Sequence, residues 1–123
     1  DDAFCADVRR LAAGAEESPA FGSLRADGFR PRLLAGYCFF SSPGGYTCGQ
    51  NLAPRALTRE SLAARIRTCL PGATITNDRD YLRHQLIVRH GRFRATVVEH
   101  GADRSHVGRI INIYVAAEAV SPR

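Results

Sequence analysis

The chain has 123 residues, 45% of them hydrophobic, which is the size of one domain able to bury a single modest core. It holds no apolar run near the ~18 residues of a membrane span, no heptads, no low-complexity tract and no internal repeat, so a spanning helix, a coiled coil and a solenoid are excluded. With 17 basic against 12 acidic residues the formal net charge is +5, which favours anionic partners such as acidic protein surfaces, phosphates, nucleic acid or envelope lipids without choosing among them.

All 17 basic residues are Arg, a bias that codon usage in a GC-rich bacterial genome produces, so its functional content lies in where the arginines sit. The chain has no Met and opens Asp1-Asp2-Ala3, as expected of a product cut from a longer precursor carrying a signal peptide. Cys5, Cys38, Cys48 and Cys69 form an even set without Cys-x-x-Cys or Cys/His zinc spacing. In a small chain that favours disulfides, and hence a periplasmic or secreted location, over four buried thiols.

In chain order, Ala3 to about Ala15 reads as a helix capped by Asp2, with Phe4, Val8, Leu11 and Ala15 on one stripe. Ser18-Pro19 ends it, and Phe21 to Pro31 reads as a loop with room for a short helical turn. Leu33–Phe40 and Gly45–Gln50 read as the arms of a hairpin around Ser41-Ser42-Pro43-Gly44, since Pro-Gly suits the centre of a type II turn. A loop centred on Pro43 sets Cys38 opposite Cys48, whereas a centre half a residue later sets Phe39 there. Of the three connectivities four cysteines allow, the preferred one joins Cys38 to Cys48 across this hairpin and Cys5 to Cys69 between two helices. The second helix starts at Leu57-Thr58, where Thr58 caps and Leu57 staples to Leu62, and stops at Pro71-Gly72. Leu62, Ile66 and Cys69 share its inner face, while Asp78 and Asp80 read as turn residues.

The segment from Tyr81 to Val115 carries three strands. A turn at His90-Gly91 sets Arg89 opposite Arg92, Val88 opposite Phe93, Leu86 opposite Ala95 and Ile87 opposite Arg94. A second loop, Gly101 to Ser105, sets Phe93-Ala95-Val97 against Ile113-Ile111-Arg109 and His100 opposite His106. Alternation then separates an apolar face from one bearing Arg83, Arg89, Arg92 and Arg94 with Asn112 and Tyr114. The expected architecture is a single α+β domain over 1–123, with two helices on one face of an antiparallel sheet of about five strands, in the order helix-strand-strand-helix-strand-strand-strand. The final strand, Arg109 to Ala116, is expected at an edge where a homodimer could pair.

The arginine face is the leading candidate surface, because guanidinium groups take carboxylates through paired hydrogen bonds and like charges side by side call for a compensating anion. The expected function is a small exported bacterial binding module, of the inhibitor or immunity type, that binds an acidic macromolecular partner through Arg83, Arg89, Arg92, Arg94, Asn112 and Tyr114. Nucleic acid is the weaker partner, since only Tyr114 stands among the arginines as a stacking platform. Glu99, His100, Asp103 and His106 cluster at one hairpin end, where His100 and His106 are weak metal candidates. A hydrolase would use Glu99 as base with His100 or His106 as acid. The plan of helices before a sheet bearing Glu, Arg and His is similar to that of small secreted basic ribonucleases, which implies a nuclease as the alternative function. Alternation nevertheless points Glu99 and His100 to opposite faces. No phosphate loop, nucleophile elbow or Cys-His motif is present, so no cofactor is expected.

Overall fold

The structure, a computed structural model, describes residues 2–41, 44–78, 85–100 and 109–119. Helix α1, Asp2–Ala15, buries Phe4, Val8, Leu11 and Ala15, the stripe that its periodicity predicts. A short helix α2, Gly22–Ala26, follows and buries Leu24. Strand β1, Phe39–Ser41, and strand β2, Gly45–Gln50, form the first hairpin. Helix α3, Arg59–Cys69, opens with a reciprocal capping box in which Ser61 N–H donates to Thr58 Oγ1 and Ser61 Oγ accepts from Thr58 N. Strands β3, Thr74–Asp78, β4, Gln85–His90, β5, Phe93–His100, and β6, Ile110–Ala117, complete the chain.

All strands form one antiparallel sheet in the order β1-β2-β6-β5-β4-β3. The class is α+β as expected, with a six-stranded rather than five-stranded sheet. The added strand is β3, so Asp78 ends a strand instead of making a turn. Conversely, strand structure in the predicted Leu33–Phe40 arm is confined to its last two residues, Phe39 and Phe40. Side chains satisfy that segment's backbone in place of a ladder: Arg32 N–H donates to Asp7, Ala35 N–H donates to Gln50, and the Arg32 guanidinium bonds the Ala35 carbonyl.

Helices α1 and α3 pack on one sheet face, where Val88, Phe93, Ala95, Val97, Ile111, Ile113 and Val115 form the core with the helical stripes. Both expected disulfides are present. Cys5–Cys69 joins α1 to α3, and Cys38–Cys48 crosses the first hairpin. Phe39 pairs with Thr47 and Ser41 with Gly45, which is the Pro43-centred register. Among the described residues no helix is long and apolar enough to cross a membrane.

Three further expectations are corrected. The β4–β5 turn is Gly91-Arg92, with His90 opposite Phe93, Arg89 opposite Arg94 and Val88 opposite Ala95. Gly91 takes the positive φ of 58°, so His90 stays in the strand, where its ring Nε2 lies 3.2 Å from the Pro71 carbonyl oxygen. The β5–β6 register sets Phe93 opposite Ala117, Val97 opposite Ile113 and His100 opposite Ile110. Both registers differ from the expected ones by an even number of residues, which leaves the described side chains of β4, β5 and β6 on their predicted faces. Lastly, β6 lies inside the sheet between β2 and β5. Its edges are already paired, so it offers no route to a dimer.

Candidate functional site

The sheet face that α1 and α3 leave uncovered is built from rows of cross-strand neighbours. One row runs Phe39, Thr47, Tyr114, Thr96, Ile87, Thr76 from β1 across to β3. Phe39 and Tyr114 are 59% and 39% exposed, two aromatic rings on either side of Thr47. A neighbouring row holds Ala116, Arg94, Arg89 and Thr74. A third holds Gly49, Asn112, Val98, Gln85 and Asp78. Gly49 leaves the space that the Asn112 side chain uses, since a Cβ there would stand 2.9 Å from Asn112 Oδ1. Ile87 and Val98 are buried on this face and stand apart from the main core cluster.

Arg89 and Arg94 are direct cross-strand neighbours, as like charges that call for compensation. Glu118, just past β6, supplies it: its Oε2 lies 3.1 Å from Arg89 Nε and 3.7 Å from Arg94 Nη1. Arg89 Nη1 also donates to Thr76 Oγ1 at 3.0 Å. Among the described residues the pair thus holds two positive charges against one shared carboxylate, and the buried Nε of Arg94 has no hydrogen-bond partner. Asp78, at the far end of the face, accepts from Gln85 Nε2.

Arg92 does not join this group. As a turn residue it donates from Nε to the Glu118 carbonyl at 2.8 Å and from Nη1 to the Glu17 carbonyl, while its N–H donates to Glu16 Oε2. Its guanidinium ties the β5 hairpin to the end of α1 and to the segment after β6. Arg83 lies outside the described residues, as do His84, Asp103 and His106. Of the predicted binding set, Arg89, Arg94, Asn112 and Tyr114 therefore share one described face. Phe39 and Glu118 belong there too. Phe39 was legible only as a strand residue, because its exposure depends on β1 being an edge strand. Glu118 lies remote in sequence from both arginines, and only the β5–β6 register brings it to them.

Glu99 points to the helix side. Its carboxylate lies 3.2 Å from Arg109 Nη2 and accepts from Arg59 N–H at the start of α3, where a carboxylate complements the helix dipole. Arg109 in turn donates to the Ala53, Pro54 and Leu57 carbonyls, so the pair fastens the loop before α3 to the sheet. His100 lies on the opposite face, beside Ile110. Among the described residues no imidazole stands within ion-pair distance of a carboxylate, and no group of three His, Cys, Asp or Glu side chains is placed to hold a metal ion. The arrangement suits binding by charge and aromatic contact.

Comparison of the chain with family models, with curated proteins and with solved structures gives no match.

Proposed function

We propose that the protein is a small exported binding module that engages an acidic macromolecular partner through the sheet face opposite α1 and α3, in the manner of an inhibitor or immunity protein. One observation carries this reading: Phe39 and Tyr114 stand exposed on that face, with the Arg94–Arg89 pair and its surplus positive charge in the neighbouring row. Exposed aromatics beside arginine are the side chains that dominate binding energy at protein interfaces. The surplus charge favours an acidic partner and speeds its approach. Two cross-links, Cys5–Cys69 and Cys38–Cys48, suit an oxidising compartment such as the periplasm.

Reversing Arg89 and Arg94 to Glu would also break the contacts to Glu118, so the cleaner perturbation is Phe39→Asp with Tyr114→Asp. The immobilised, oxidised protein should retain one acidic protein from the envelope fraction of its source organism, and the double variant, with unchanged melting temperature, should lose it. Retention of nothing specific, or equal retention by both forms, would refute the reading.

A further inference from the structure

Beside the edge strand β1, α2 and the turn after it enclose a groove of about 420 Å³ whose lining includes Arg25, Phe29, Arg30, Phe39, Phe40 and Tyr46. Its floor is aromatic. Tyr46 is buried and meets Phe40 and Phe29 edge-on, with ring centroids 5.2 and 6.2 Å apart. The Tyr46 hydroxyl donates to the Phe29 carbonyl, so the floor's polar atom is already occupied, and desolvation holds the phenol above its ordinary pKa.

The walls are cationic. The Arg25 guanidinium sits 4.4 Å above the Phe40 ring centroid and that of Arg30 5.3 Å from the Tyr37 centroid. A guanidinium stacked on a ring keeps its in-plane N–H donors free for a carboxylate. Among the described residues the lining contains no acidic side chain, and nearby Asp27 is engaged by Arg10 at 3.0 Å. Among the described residues neither Arg25 nor Arg30 is paired with a carboxylate.

We propose that this groove seats an acidic peptide segment of the partner protein, with one apolar side chain on the Phe29–Phe40–Tyr46 floor and flanking carboxylates on Arg25 and Arg30. The inference rests on the acidic-partner reading and adds a second contact to it, with Phe39 shared at the rim. Charge complementarity selects the occupant: two guanidiniums that meet no carboxylate among the described residues flank an apolar floor. A nucleic acid strand would instead want successive open ring faces, and these rings meet edge to face.

The probe is a synthetic peptide with a central phenylalanine flanked on both sides by glutamates, titrated into the oxidised, isotope-labelled protein while backbone amide shifts are followed. Saturable shifts at Arg25, Gly28, Arg30 and Phe40 are expected. Arg25→Gln with Arg30→Gln should weaken binding roughly tenfold or more, as loss of charge-assisted hydrogen bonds requires. Replacing the peptide's phenylalanine by alanine should weaken it similarly. Tyr114→Asp, which disables the sheet face, should leave the titration unchanged, so failure of the groove and failure of the sheet-face reading are told apart. Absence of saturable shifts, indifference to the arginine substitutions, or tighter binding of an oligothymidine at the same residues would overturn the proposal.

Discussion

Replacing Glu118 by Gln removes one negative charge and leaves two guanidiniums facing each other across β4 and β5. The side chains of Arg89, Arg94 and Glu118 are 38%, 40% and 30% exposed, so each ion pair belongs to the weak, partly screened class, about 0.5 kcal/mol apiece. The unmasked repulsion between cross-strand like charges adds about 0.5 kcal/mol, for a total of about 1.5 kcal/mol. A chain of 123 residues unfolds with an entropy of roughly 260 cal/mol/K, so this amounts to a fall of about 6 °C in melting temperature. Thermal unfolding followed by circular dichroism in low-salt buffer reads it directly. In ~1 M NaCl, where the screening length shrinks to about 3 Å, the fall should drop to about 2 °C. A fall below about 1 °C at low salt, or the same fall at both ionic strengths, would show that Glu118 does not hold the arginine pair together by charge.

The two disulfides differ in the length of chain they close, with sequence separations of 64 for Cys5–Cys69 and 10 for Cys38–Cys48. Loop-closure entropy assigns them about 4 and about 3 kcal/mol, so urea unfolding should find the Cys5→Ala/Cys69→Ala variant less stable than Cys38→Ala/Cys48→Ala, and the reverse order would contradict the assignment. Glu17 accepts from both the hydroxyl and the backbone N–H of Ser23, and these bonds hold its carboxyl below the ordinary value of 4.5. Because the folded-state pKa is the lower one, the stabilisation is fully present above the unfolded value and disappears as pH falls through the folded one. The difference in melting temperature between the native protein and Glu17→Gln should therefore narrow as pH drops below about 4.5, and a pH-independent difference would exclude this role.

Much of the fold is legible in the sequence because local chemistry writes it. The stripe of Phe4, Val8, Leu11 and Ala15 specifies α1 and its buried side. Thr58 with Leu57 specifies the start of α3, and the first-hairpin register expected from the sequence, Phe39 opposite Thr47, is the one in which Cys38 meets Cys48. Alternation along β4, β5 and β6 assigns every side chain to a face, which is why Arg89, Arg94, Asn112 and Tyr114 come together as expected and Glu99 parts from His100.

What alternation does not carry is register. A slip of two or four residues preserves every face, so the pattern that excludes odd slips is blind to even ones. Turn geometry and long-range packing decide those. Gly91 accepts a positive φ that His90 would resist, and that moves the β4–β5 pairing by one turn position. The longer β5–β6 register carries Glu118 to the arginines and sets His100 opposite Ile110. Strand order is equally non-local. Periodicity along β6 is the same in the middle of a sheet as at its edge, and only the pairing with β2 on one side and β5 on the other places it inside. The sequence by itself thus determined the elements, their faces and their cross-links, which depend on neighbours a few residues apart or on covalent chemistry. Tertiary structure alone decided which charges meet, because that depends on contacts between residues far apart in the chain.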